Sequence, residues 1–191
     1  NFLKSSHEPY VVIASGDGVY KLDYNKVLEE HIRKGADITV VCKDIDPGED
    51  DISRFGIVKT DADMQIMDFE EKPLVAQTST ASIGVYVIRR RQLIELLESC
   101  AKEGRSDFVK DILVRYKNVK KIYAYKMESY WRNIGTIDSY FKTNMDFLDS
   151  NIRDYFFRQY PYIYSKVDDL PPAKYNGYAL VNNSLVSSGC I

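Results

Sequence analysis

Asp17 sits between Gly16 and Gly18, directly after the apolar run at residues 10–15. In an open α/β sheet, ligands bind beyond the carboxyl ends of the strands. A carboxylate there can hold Mg2+ against phosphate oxygens; the same residue also reads as a turn aspartate ahead of a glycine. Asp23 reads more simply as an acid leading a helix. Farther on, Glu70-Glu71-Lys72-Pro73 closes a short strand. Pro73 favours an extended Lys72 and ends the ladder. An ammonium beside a carboxylate suits a sugar phosphate, lysine for the phosphate and glutamate for the hydroxyls; a solvated charge run is the plainer alternative. The only tryptophan, Trp131, heads Trp131-Arg132-Asn133-Ile134-Gly135. An aromatic followed by polar groups suits a sugar site, and ordinary core packing would place a tryptophan there equally well. His7 and His31 have no metal-like partner spacing. No GxxxxGK[ST] and no GxGxxG occurs, so nothing here cradles a nucleotide triphosphate alone.

These residues need elements to position them. The run at 10–15 (YVVIAS) suits a central parallel strand covered on both faces. Asn25 is a candidate cap for a helix whose apolar face is Val27, Leu28, His31 and Ile32, with Gly35 as its stop. Residues 37–43 form a second strand, making a strand–helix–strand unit with a right-handed parallel crossover. An acidic loop spans 44–53. Short strands at 55–59 and 65–70 flank a turn at Asp61-Ala62-Asp63, a polar surface loop spans 73–80, and 81–88 is another buried strand. Helical spacing marks 92–103 and 107–116, and 121–127 alternates as a strand. The segment 136–148 is the clearest helix, with Thr136 as cap and Ile137, Tyr140, Phe141, Asn144, Met145 and Leu148 on one face. The alternation gives an α/β class with a mostly parallel sheet. Residues 151–177 are rich in Tyr, Phe and Pro and read as a linker. From 178 to 191, apolar residues recur between small polar ones, as in the opening of a β-solenoid or an edge strand.

Composition narrows the function classes. The chain has 191 residues, 45% of them hydrophobic, enough for a real core. With 26 basic and 28 acidic residues the net charge is −2, which argues against nucleic acid or an anionic membrane as the main partner. Three widely spaced cysteines, without a CxxC, read as free thiols in a reducing cytoplasm and give no zinc site. No apolar run approaches the roughly 20 residues that span a bilayer. The first residue is not Met and the last ones are strand-like, so both ends are expected to lie inside a longer protein.

Six segments together resemble one family. Ser15-Gly16-Asp17-Gly18-Val19-Tyr20-Lys21-Leu22-Asp23-Tyr24 resembles [AS]GDHIYKMDY, and Arg54-Phe55-Gly56-Ile57 resembles RFGI. Phe69-Glu70-Glu71-Lys72-Pro73 matches FEEKP, and Ala81-Ser82-Ile83-Gly84-Val85-Tyr86 resembles ASMGIY. Ser106-Asp107-Phe108-Val109-Lys110-Asp111 resembles (S/H)DFGKD, and Tyr130-Trp131-Arg132-Asn133-Ile134-Gly135-Thr136 resembles YWRDVGT. Their order and spacing are similar to bacterial glucose-1-phosphate adenylyltransferase over nearly the whole chain. The resemblance implies a partial Rossmann-like nucleotidyltransferase domain at 1–150, a linker at 151–177 and the start of a left-handed β-helix at 178–191. It implies the conversion of ATP and glucose 1-phosphate to ADP-glucose and pyrophosphate, in glycogen biosynthesis, with Mg2+. By motif, Asp17 holds the metal and Lys72 the sugar phosphate, while Glu71, Ser82, Asp107, Phe108 and Trp131 line the sugar site.

Departures from the family pattern shape the expectation. The glycine-rich front loop that handles the triphosphate is absent. Asn133 stands where the motif has an aspartate sharing the metal with Asp17, and Gly18 stands in place of a histidine. Together with residues 89–116 and 155–176, these resemble the regulatory-type subunit found beside the catalytic one in some Gram-positive bacteria. The implied assembly is a hetero- or homo-tetramer containing a catalytic subunit. Alternatives are a fragment of a true catalytic subunit, or a related sugar nucleotidyltransferase. Alone, the chain is expected to be inactive and, with strand edges exposed, to self-associate.

Overall fold

Residues 80–89 alternate β-branched, aromatic and small side chains, and they form the longest strand among the described residues. The computed structural model describes residues 2–46, 52–75 and 77–190. The chain divides into two compact units, one made of Asn1–Gly16 with Asp23–Glu128, the other of Asp17–Leu22 with Ser129–Ile191.

The first unit contains strands β1 (Tyr10–Ala14), β3 (Ile38–Asp44), β4 (Gly56–Thr60), β5 (Ile66–Glu71), β6 (Thr80–Arg89) and β7 (Ile122–Lys126), after a short helix α1 (Phe2–Ser5). The sheet order is β5-β4-β6-β3-β7, and β1 pairs with β6. The α/β class holds. The sheet is mixed: β3–β7 is parallel, whereas β1–β6, β3–β6, β4–β5 and β4–β6 are antiparallel, a larger antiparallel share than the apolar runs suggested. The reason is the place of β6. It inserts between β1 and β3, which therefore do not pair with each other, and the first strand–helix–strand unit straddles it. Among the described residues β1 pairs only with β6, so it is not the central strand its composition suggested, and Val12 is exposed.

Both faces of this sheet are covered. Ile38, Val40, Cys42, Tyr86, Ile88, Ile122 and Ala124 form a core with Leu93, Leu96 and Cys100 of helix α3 (Arg90–Lys102) and with Ile112 and Leu113. The last two belong to a π-helical stretch, Val109–Val114, inside the helix expected over 107–116. The opposite face carries helix α2 (Tyr24–Lys34), which packs on β3, β6 and β7. Its N-cap is Asp23, whose carboxylate accepts from the Asn25 N–H at 3.1 Å, so Asn25 is not the cap. Gly35 ends it in the left-handed conformation at φ 58°. The helix buries Val27 and His31 and leaves Ile32 half exposed.

The second unit holds a two-stranded antiparallel ladder of β2 (Gly18–Tyr20) and β8 (Trp131–Asn133), then helices α4 (Ile137–Asp146) and α5 (Ser150–Arg158). Thr136 caps α4 in a capping box with Ser139. The apolar face expected of this helix is turned outward, with Ile137 89% exposed, because it is Thr143 that α4 buries. Helix α5 occupies the start of the segment read as a linker. Asp149 caps it, and Phe156 packs edge-on against Tyr130 and at a tilt against Phe147. Lys21 is buried and donates from Nζ to the carbonyls of Tyr155 and, at 2.8 Å, Gln159, where α5 ends. Cations favour that end of a helix, and burial lowers the ammonium pKa. Among the described residues no strand is found at 178–190, and the loop expected over 44–53 falls at 47–51 outside the described residues. No helix among the described residues is long and apolar enough to cross a membrane. The three cysteines are free.

His31 gives this fold a pH dependence. It is 1% exposed, its Nδ1 lies 2.8 Å from the Thr39 hydroxyl, and burial, aided by nearby Arg89, lowers its pKa from 6.5 to about 4. The folded value lies below the unfolded one, so unfolding takes up a proton between them and stability falls as pH drops from 6.5 toward 4. The full shift corresponds to about 3 kcal/mol. In chemical denaturation against pH, His31→Gln is expected to lose this component of the slope while keeping the acid lability due to carboxylates; an unchanged profile would contradict it.

Candidate functional site

The sequence-derived candidates fall into two sets, one in each unit. In the first unit, Gly56 pairs with Glu71 across β4–β5. A Cβ at Gly56 would lie 2.7 Å from the Phe69 ring and 3.1 Å from Glu71 Oε2, so the glycine makes room for both side chains. The Lys72 N–H donates to the Phe55 carbonyl at 3.1 Å, and Lys72 adopts φ 52°. That corrects the extended conformation expected ahead of Pro73: the turn out of β5 places this residue in the left-handed region, a strained position for a side chain that is not glycine. The ammonium of Lys72 is largely exposed and lies 3.6 Å from Glu71 Oε1.

Ser82, Asp107 and Phe108 meet Glu71 around a residue that was not singled out from the sequence, Tyr86. Its hydroxyl is 3.4 Å from Ser82 Oγ, and its ring is 5.1 Å from the Phe108 ring. Burial raises the Tyr86 pKa, and the carboxylates of Glu71 and Asp107 push it the same way. The signal was available, because Tyr86 ends the motif that contains Ser82. Asp107 also has a local duty: its Oδ1 accepts from the Lys110 N–H at 2.9 Å at the head of the π-helical stretch. Two hydroxyls, two carboxylates and an aromatic face are the groups that bind the hydroxyls and ring of a sugar. A lysine at the edge adds a cation for a phosphate.

A bulge supports this set. In the β3–β6 register Val41 faces Val85 and Cys42 faces Ser82, which leaves Ile83 and Gly84 as extra residues. Gly84 has φ 76°, and a Cβ there would come within 2.8 Å of the Ser15 Cβ.

In the second unit, Asp17, Asn133 and Trp131 lie on the β2–β8 ladder and its ends. Asn133 Nδ2 donates to Asp17 Oδ2 at 2.9 Å, while Asn133 Oδ1 accepts from the Gly135 N–H at 3.0 Å. The backbone donor of Gly135 fixes which way the amide faces, so its N–H edge is turned toward the carboxylate. The Ile134 N–H donates to the Asp17 carbonyl at 2.8 Å. Trp131 is buried, and a Cβ at Gly18 would stand 3.3 Å from its Nε1, so the small residue at 18 suits the indole beside it.

As placed, this pair offers one carboxylate and a donor, not two acceptors, and a donor cannot ligate a cation. The residues fit a divalent ion poorly. Among the described residues no group of three or more His, Cys, Asp or Glu is arranged to hold a metal.

Gly56→Ala is expected to cost about 1–3 kcal/mol in chemical denaturation, because the Phe69 ring must shift. Gly16→Ala, whose added methyl would meet nothing within 4 Å, serves as the near-neutral reference. Equal stability of the two variants would refute the close approach.

Residues 1–150 match the family profile of nucleotidyl transferases. The chain is 38% identical over 195 residues to a glucose-1-phosphate adenylyltransferase of Thermosipho melanesiensis, covering 99% of this chain and 46% of that protein. It is 39% identical over 198 residues to proteins of the same name from Bacillus thuringiensis strain Al Hakam and Bacillus cereus strain Q1, covering 100% of this chain and 51% of each. The chain thus spans about half the length of the curated relatives it matches.

Proposed function

Since the chain belongs to the nucleotidyl transferase family, we propose that it is part of a glucose-1-phosphate adenylyltransferase subunit of the regulatory, catalytically weak type. The reaction it would serve joins ATP and glucose 1-phosphate into ADP-glucose, with pyrophosphate leaving, in glycogen biosynthesis in the cytoplasm. A phosphate oxygen of the sugar phosphate attacks the α-phosphorus; such transfers depend on positioning and on electrostatic stabilisation. Lys72 holds the sugar phosphate, and Glu71, Ser82, Asp107 and Phe108, joined by Tyr86, line the sugar, while Trp131 is a sugar-site residue by its motif alone. In the full-length subunit a left-handed β-helix would open from about residue 178, where residues 178–190 carry no strand here, and the subunit assembles with a catalytic partner in a tetramer.

The observation that carries the regulatory reading is the Asn133–Asp17 hydrogen bond of 2.9 Å. It satisfies the carboxylate with a neutral amide donor where the family motif has a second carboxylate for a divalent cation. That cation, when bound in a catalytic relative, screens the triphosphate charge. Here the sugar-side groups are intact and the metal-side pair is not. A fully catalytic subunit is the second reading, favoured by the retained Asp17 and Lys72.

Assaying the full-length protein for ADP-glucose formation, alone and with a catalytic subunit from the same organism, separates them. The regulatory reading expects negligible turnover alone, a changed partner rate on mixing, and a gain of about tenfold or more in Asn133→Asp, the scale on which even indirect metal partners act. Turnover alone at a catalytic subunit's rate, unchanged in Asn133→Asp, would establish the second reading. Preference for another sugar 1-phosphate in a thermal-shift series would move the protein to a related nucleotidyltransferase.

A further inference from the structure

A cavity of about 270 Å3 opens beside the loop that leads into β7. Its wall includes Gln65 and Met67 at the head of β5, and Lys117, Asn118, Lys120 and Lys121 from the loop. None of these belongs to the Glu71–Lys72 set. Three lysines in five residues place concentrated positive charge on a wall that otherwise supplies two side-chain amides, a thioether and the aliphatic Ile66 and Val119. The ammonium of Lys117 is paired with Asp68. Among the described residues, the ammonium groups of Lys120 and Lys121 have no carboxylate partner. The other acid nearby, Asp37, accepts from the backbone N–H of Lys121 at 2.8 Å and from Gln92 Nε2 at 3.0 Å.

The backbone holding these lysines is tied down. The N–H groups of Val119 and Lys120 donate to the Tyr116 carbonyl at 3.0 and 2.8 Å, and the Lys121 carbonyl accepts from Asp37 N at 2.8 Å. On the other wall, Gln65 bridges to Tyr123, and Ala124 N donates to the Met64 carbonyl at 2.8 Å. The cations are therefore carried on fixed anchor points. Two ammonium groups without an acid, two amides and an apolar contact at Met67 match a phosphate on a small carbon skeleton. The volume is too small for a polymer.

We propose that this cavity is a second anion site that binds a small phosphate-bearing molecule through Lys120 and Lys121, with Asn118 and Gln65 as hydrogen-bonding partners. The proposal is independent of the reading of Asp17 and Asn133.

Isothermal titration of the full-length protein with inorganic phosphate and with glycerol 3-phosphate, at ionic strength matched with chloride, tests it. Saturable binding is expected that weakens about tenfold or more in Lys120→Gln/Lys121→Gln, the scale of losing charge-assisted hydrogen bonds, and that persists in Lys72→Gln. Asn118→Asp, which adds a negative charge to an exposed position in the same wall, should weaken it as well and guards against misfolding of the double variant. The tighter of the two probes distinguishes free phosphate from a phosphate ester. Binding that chloride abolishes by screening alone, that survives both cavity variants, or that is lost in Lys72→Gln alone overturns the proposal.

Discussion

The architecture of the first unit hangs on one strand. β6, ten residues and roughly 33 Å long, pairs with β1, β3 and β4. Its first residues meet β4, its last residues meet β1, and β3 runs along the other side. Side chains alternate with a period of two, so slipping any of these registers by one residue would turn Tyr86 and Ile88 out of the core. The bulge at Ile83 and Gly84 reconciles the two halves. It lets one strand serve different neighbours before and after, and it leaves Ser82 and Tyr86 with their hydroxyls within 3.4 Å of each other. The same irregularity that completes the sheet thus sets the hydroxyl pair of the candidate sugar site.

Much of this was legible in residue order, and the failures have physical causes. Strands at β3, β6 and β7 and helices α2, α3 and α4 follow from apolar spacing and punctuation by Gly35 and Thr136. Pairing partners did not follow, because a continuous apolar run states that a strand is covered and not which strand covers it. β1 therefore looked central and parallel, whereas among the described residues its only partner is the antiparallel β6. α5 was missed because its aromatic residues and the prolines after it resemble an extended wrapping segment; the decisive cue was Asp149, an N-cap. The conformation of Lys72 was misjudged since the effect of a following proline is local, while the turn leaving β5 is set by a hydrogen bond to Phe55.

The candidate site was legible through motifs more than through single residues. Glu71, Lys72, Ser82, Asp107 and Phe108 look unremarkable one at a time, as charge runs, caps and core. The fold makes Tyr86, which ends the Ser82 motif, the neighbour that Glu71, Ser82, Asp107 and Phe108 share. At the other set, the Asn133 amide makes two directed bonds, to Asp17 and to Gly135, and so forms a closed polar pair with the carboxylate.

Trp131 is the only tryptophan among many tyrosines, and it sits on β8 two residues before Asn133, pressed close to Gly18. Its buried indole makes these 191 residues carry an optical probe of a single place. Light absorbed at the red edge of the ultraviolet band, where tyrosine is transparent, is emitted from beside Gly18 and from nowhere else in the chain. The ladder that joins β2 to β8 is thereby the one part of this chain whose opening or closing is written in the colour and lifetime of its fluorescence.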